Sequence, residues 1–143
     1  MGVPGWINAE NAIAASAVAL LGGIEPEKIR QALAAFEGAE RRLDIHVNGA
    51  KAAYIDDYAH HPDELAATID AVRTMGYNRM IVAFQPHTYT RTKALMADFA
   101  KALTLADRVV LTDIYAAREK DNLGISSKDL QKCIQDLGKE CFY

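Results

Sequence analysis

Tyr54-Ile55-Asp56-Asp57-Tyr58-Ala59-His60-His61-Pro62-Asp63-Glu64 is the stretch on which the fold turns. Ala53, Tyr54 and Ile55 read as the end of a buried strand. Pro62 suits the first position of a helix, where its preset φ is an advantage and the N–H it lacks has no partner to lose. Asp63 and Glu64 then fall in the first turn, where negative charge is favoured. A strand-to-helix loop thus holds two aspartates, a phenol and two imidazoles. In open α/β sheets ligands bind beyond the carboxyl ends of the strands, so the loop reads as a site rather than as a polar linker with a capping aspartate.

Before this stretch the sequence is helical. Gly2-Val3-Pro4-Gly5 opens without regular structure, and Asn8 reads as the cap of an alanine-rich helix over Ala12–Leu21 that ends at Gly22-Gly23. Pro26 opens a second helix, with Ile29, Leu33 and Phe36 along one face and Gly38 after it. Two such helices bury too little apolar surface to stand as a domain. Leu43-Asp44-Ile45-His46-Val47 then alternates as a half-exposed strand does. Asn48-Gly49 is a hairpin signal, with Ala52–Ile55 as the return strand.

After Pro62 helix and strand alternate. Helices are expected over Pro62–Met75, Tyr89–Leu103 and Ser127–Leu137. Strands are expected at Met80–Phe84, Val109–Leu111 and from Cys141. The unbroken apolar run Met80–Phe84 suits a strand covered on both faces. This order predicts a mostly parallel three-layer α/β sheet preceded by the hairpin and the two helices.

Composition sets limits on function. The 143 residues are 50 % apolar and 24 % charged, with a net charge of −3. That is ordinary for a globular protein with a core. No basic block is present, which argues against a nucleic-acid or anionic-membrane surface. Ala12–Leu21 is too short to span a bilayer, so no membrane partner is expected. Cys133 and Cys141 form no metal-binding pattern, and two thiols suggest a reducing compartment.

Chemistry gathers in three loops: Asp56–His61, Gln85–Thr92 and Asp113–Glu119. Each follows an expected strand, and in a parallel sheet such loops share one edge. The head of the Tyr89 helix with Arg91 in its first turn reads as a seat for a carboxylate or phosphate; the plainer reading is a Thr-capped helix with a solvated arginine. Asn8 and Asn11, one turn apart, present amides on one side. Arg41-Arg42 suits a phosphate or ribose, or an exposed linker pair.

Pro4-Gly5, Asn8…Asn11-Ala12, Phe36-Glu37-Gly38…Arg41-Arg42, Asp56-Asp57-Tyr58-Ala59-His60-His61-Pro62 and Phe84-Gln85-Pro86-His87…Tyr89-Thr90-Arg91-Thr92 occur in this one order over essentially the whole chain. In this the sequence resembles the Mur ligases. The resemblance implies that residues 1–38 are the C-terminal end of a central ATP-binding domain. It implies that residues 39–143 belong to a Rossmann-like C-terminal domain, incomplete at its end, that receives the amino acid. It implies ATP-dependent amide-bond formation between UDP-N-acetylmuramate and L-alanine, in the bacterial cytoplasm, with ATP and Mg²⁺ held mainly by the remainder of the ligase chain. Asn8, Asn11, Arg42, Asp57 and Tyr58 match positions at the ATP site, and His87 and Arg91 match positions at the alanine end of the substrate. Asp57, His60 and His61 are the candidate catalytic residues, the histidines lying near the phosphate path. Some family members carry an arginine where this chain has Thr88. No G-x-x-x-x-G-K-[ST] loop is present, so this chain alone is expected to be inactive as a ligase.

Two other readings belong to different classes. Asp56, Asp57, His60, His61 and His87 have the ligand chemistry of a metal-dependent hydrolase, although no His-Glu-x-x-His spacing occurs. A noncatalytic nucleotide-binding or interaction module is the third.

Overall fold

The computed structural model describes residues 3, 5–49 and 52–143. Pro4, of the expected irregular opening, and Ala50 and Lys51, of the expected hairpin, lie outside the described residues. The chain divides into two compact units, one up to Tyr58 and one from Ala59 to Tyr143.

The first unit holds α1 (Trp6–Leu21), α2 (Pro26–Ala35), β1 (Asp44–Asn48) and β2 (Ala53–Asp56). Helix α1 starts six residues earlier than its alanine-rich run suggests. Gly5 is its N-cap and makes no side-chain cap bond. Asn8 therefore lies inside the first turn, not at the cap. No residue of α1 or α2 is buried, as expected of helices too short to form a core. Strands β1 and β2 form an antiparallel pair in which Asn48 faces Ala53. The turn is therefore longer than the two-residue loop Asn48-Gly49 signals. The register slips between Ile45 and Val47, leaving His46 as a bulge. Among the described residues β2 pairs with β1 alone, and Tyr54 is exposed. The expectation that Ala53, Tyr54 and Ile55 end a buried strand is corrected here: β2 carries no fully buried residue, as suits a two-stranded ribbon.

The second unit is the α/β part. It runs α3 (Pro62–Arg73), β3 (Ile81–Phe84), α4 (Tyr89–Ala94), α5 (Met96–Leu103), β4 (Arg108–Leu111), α6 (Ser127–Asp136) and β5 (Cys141–Phe142). The three strands lie parallel in the order β3-β4-β5. Pro62 opens α3, with Asp63 and Glu64 in its first turn, as expected. The single helix expected over Tyr89–Leu103 is interrupted at Leu95, whose φ of −114° leaves the helical region. The bonds from Leu95 N–H to the Arg91 carbonyl and from Phe99 N–H to the Leu95 carbonyl bridge the break.

Register decides which residues form the core. Val82 pairs with Val109, Phe84 with Leu111, and Val109 with Cys141, and paired residues share a face. Phe84, Val109, Leu111 and Cys141 pack under Leu65 of α3, Phe99 and Leu103 of α5, and Leu130 and Ile134 of α6. Ile81, Ala83 and Phe142 take the opposite face and are exposed, Ile81 at 52 % and Phe142 at 46 %. Within this unit, helices cover one face of the sheet. The apolar run Met80–Phe84 is of the doubly buried type, but only half of it is covered here.

Candidate functional site

In the first unit the candidate residues hold a turn. Arg41 and Leu43 both have positive φ, 57° and 48°, which non-glycine residues adopt only when held. The Asp57 carboxylate accepts the Leu43 N–H at 2.8 Å, and the Tyr58 N–H donates to the Arg41 carbonyl at 2.8 Å. The Arg41 guanidinium lies 4.8 Å over the Tyr58 ring and 3.4 Å from Asp56. Arg41, which the sequence offered only as one of the Arg41-Arg42 pair, thus stacks on Tyr58. Arg42 itself lines a cavity of about 310 Å³ together with Glu37, Glu40 and Leu43. Asn8 and Asn11 both lie on α1, Asn11 exposed and Asn8 half-buried.

In the second unit the site forms where three segments meet. Ala59, His60 and His61 lead into α3. The His61 Nδ1 accepts the Asp63 N–H at 3.3 Å, while Glu64 accepts the N–H groups of His60 and His61 at 3.0 and 3.1 Å. This is a reciprocal cap of the helix with histidine in the place that serine or aspartate usually holds. Accepting at Nδ1 leaves the proton of a neutral ring on Nε2.

Beyond β3 and β4 the two following loops continue to pair. The Tyr115 N–H donates to the Pro86 carbonyl and the Thr88 N–H to the Tyr115 carbonyl, both at 2.9 Å, making a parallel bridge between His87 and Tyr115. The Gln85 side chain donates to the Asp113 carbonyl at 3.2 Å. The His87 ring lies 5.4 Å from the Tyr115 ring and 6.2 Å from the His60 ring. Arg91 Nη1 reaches the His60 carbonyl at 3.5 Å. His60, His87 and Arg91 therefore border one spot, with Tyr115 as a wall that the sequence marked only as part of a loop. The His87 Nδ1 is buried and has no hydrogen-bond partner. Buried polar atoms are rarely left so, and one at a cluster of this kind asks for a ligand or water.

The head of α4 differs from the expected open anion seat. Glu119, from the loop after β4, fills it. Its carboxylate accepts the Tyr89 N–H, the Thr90 N–H at 3.1 Å and the Thr90 hydroxyl. These bonds hold the Glu119 carboxyl below the usual carboxylate range, the Thr90 hydroxyl contributing most. The Tyr89 and Thr90 N–H groups are thus engaged within the protein.

Among the described residues no three His, Cys, Asp or Glu side chains converge where a metal ion could be held. The hydrolase reading loses its ligand cluster. His61 is engaged as a cap at Nδ1, and Asp57 holds the turn of the first unit.

Residues 41–143 match the family described as Mur ligase, glutamate ligase domain. The chain belongs to the Mur ligase family. It is 50 % identical over its whole length to the UDP-N-acetylmuramate–L-alanine ligase of Lachnospira eligens. It is 45 % identical over its whole length to the protein of that name from Caldanaerobacter subterraneus subsp. tengcongensis. It spans 31 % of each of these relatives. The crystal structure of UDP-N-acetylmuramate-alanine ligase from Thermotoga maritima superposes with a TM-score of 0.76 at 34 % identity, over 98 % of this chain and 29 % of that one. The mixed α/β fold with its parallel three-stranded sheet is that of the C-terminal domain of this Mur ligase. None of these findings favours a hydrolase or a noncatalytic binding module.

Proposed function

We propose that this chain is the amino-acid-receiving portion of an ATP-dependent ligase that joins L-alanine to UDP-N-acetylmuramate in the bacterial cytoplasm, in peptidoglycan precursor synthesis. The observation that carries the reading is the 50 % identity to a UDP-N-acetylmuramate–L-alanine ligase over every residue of this chain. In this reading residues 1–38 are the tail of the central ATP-binding domain and residues 39–143 the C-terminal domain.

Arg91 and His87 receive the amino acid. A guanidinium at the edge of the cluster suits its carboxylate, and the buried Nδ1 of His87 offers a polar contact that the protein itself leaves unfilled. His60, close to both, lines the path to the phosphates, together with His61. Asn8, Asn11, Arg42, Asp57 and Tyr58 serve the nucleotide. Two side-chain amides, one phenol and one guanidinium fit the base and ribose better than a triphosphate, which needs several backbone N–H groups and a lysine. When bound, ATP would supply the phosphoryl group that activates the muramyl carboxylate, with Mg²⁺ offsetting the phosphate charge, so that the alanine amine could displace phosphate. Asp57 orients the Arg41–Leu43 turn that presents Arg42, and Arg41 keeps the Tyr58 ring in place. Catalysis of this kind comes chiefly from positioning and charge stabilisation.

The test is a chimaera in which this chain replaces its counterpart in the Lachnospira eligens relative. Phosphate release with ATP, Mg²⁺ and UDP-N-acetylmuramate should depend on L-alanine and fall sharply in Asp57→Ala and Arg91→Ala. A folded chimaera that releases phosphate without regard to alanine, or only with another amino acid, overturns the assignment. The isolated chain should release none.

A further inference from the structure

Three helices of the second unit have side-chain caps, and one is capped differently from the others. Helix α3 starts on a reciprocal pair three residues apart, His61 and Glu64, and α6 on Ser126 and Asp129. Both are local. The head of α4 takes its carboxylate from Glu119, some thirty residues away on the loop after β4. Its own cap, Thr88, makes only a 3.4 Å contact to the Arg91 N–H.

The backbone at Thr88 explains what that distant carboxylate holds. Thr88 has φ 66° and ψ 143°, a combination otherwise populated mainly by glycine and costly for a β-branched residue. Such a conformation persists only where its surroundings over-determine it. The Thr88 N–H is tied to the Tyr115 carbonyl, and the Thr88 carbonyl accepts the hydroxyl of the buried Thr92 at 2.7 Å. Glu119 grips the next two residues. The loop carrying Glu119 is itself fixed by the His87–Tyr115 bridge and by Lys93, which donates to the Leu123 carbonyl at 3.0 Å. His87 and Arg91 flank this turn on either side.

We propose that Glu119 is a positioning residue of the amino-acid site: by clamping the turn after Thr88 from the loop after β4, its carboxylate fixes the pose in which His87 and Arg91 meet the substrate amino acid. The inference rests on the ligase reading above and adds a residue to it. Without the clamp the strained turn relaxes, Arg91 swings with the first turn of α4, and the amino acid loses its guanidinium partner. ATP, bound by other residues, is unaffected.

The experiment uses the same chimaera. Glu119→Ala should raise KM for L-alanine about tenfold, the loss of one well-placed charged contact, and leave KM for ATP within about twofold. Glu119→Gln keeps one accepting oxygen and should fall between wild type and Glu119→Ala. In this chain, Glu119→Ala should speed amide hydrogen exchange at Tyr89 and Thr90 while Val109 and Leu103 keep their protection. If exchange speeds up at Tyr89 and Thr90 but KM for L-alanine stays put, Glu119 only caps a helix and the proposal is wrong. A parallel rise in both KM values with a general loss of protection overturns it too. If the parent chimaera itself shows no alanine dependence, the ligase reading fails and this inference falls with it. An active parent with a silent Glu119→Ala refutes the inference alone.

Discussion

Phe99→Ala and Ile81→Ala test which face of the sheet holds the unit together. Phe99 has 0 % exposure and packs against Phe84 with ring centroids 5.5 Å apart. Truncating a buried phenylalanine costs about 3–5 kcal/mol in transfer and cavity terms. Residues 59–143 are expected to have a stability of about 4–13 kcal/mol, at roughly 0.05–0.15 kcal/mol per residue. The substitution therefore removes about a quarter of the stability or more. At a urea slope of about 1.5 kcal/mol/M the midpoint drops by about 2–3 M. Ile81 is 52 % exposed on the other face. It has about half of its transfer term to lose and no closed cavity to leave, so its loss is about 1 kcal/mol and under about 1 M of urea. The only tryptophan, Trp6, lies in the first unit, so the second unit has no tryptophan of its own with which to report this transition. Far-UV circular dichroism together with exchange at Leu103 and Val109 does. If Ile81→Ala costs as much as Phe99→Ala, the outer face is covered in solution and the one-sided core is wrong.

Ser127 is 1 % exposed and its hydroxyl donates to the Thr112 carbonyl at 2.6 Å; Ser127→Ala leaves that carbonyl unpaired and should cost about 1–3 kcal/mol by urea unfolding, whereas an unchanged midpoint shows that water replaces the hydroxyl. Asp107, Glu119 and Asp129 have carboxyl pKa values lowered, chiefly by Arg73, by the Thr90 hydroxyl and by the Ser126 N–H respectively. Groups lowered on folding stabilise above their unfolded pKa values, near 4, and lose that contribution as pH falls through the folded values. The urea midpoint should hold from pH 7 to about 5 and fall below about 4, with a smaller fall in Asp107→Asn; equal acid sensitivity in wild type and variant counts against the Arg73–Asp107 pair. Arg91→Lys in the chimaera should raise KM for L-alanine about tenfold or more, because an ammonium lacks the planar two-donor fork; an unchanged KM removes Arg91 from the amino-acid site.

What the sequence by itself determined is what neighbours within one helical turn decide. Pro62 with Asp63 and Glu64 marks the start of α3, and the apolar spacing of Leu65, Ile69 and Val72 sets its buried face. The ordered motifs around Asp57, His60, His87 and Arg91 identify the family, which the match over residues 41–143 bears out. Contacts between distant residues were decided by tertiary structure. The apolar run Met80–Phe84 looks alike on both faces, and only the strand register shows that Phe84 is covered and Ile81 is open. Ala53–Ile55 reads in isolation as the end of a buried strand, yet β2, with one antiparallel partner among the described residues, leaves Tyr54 exposed. Arg41 over Tyr58 needs a backbone turn that no propensity announces. Glu119 is the clearest case. One glutamate in a long loop has no signature of its own. It becomes part of the site because parallel pairing of β3 with β4 carries the loops that follow them to the same edge, and there its carboxylate meets the free N–H groups at the head of α4.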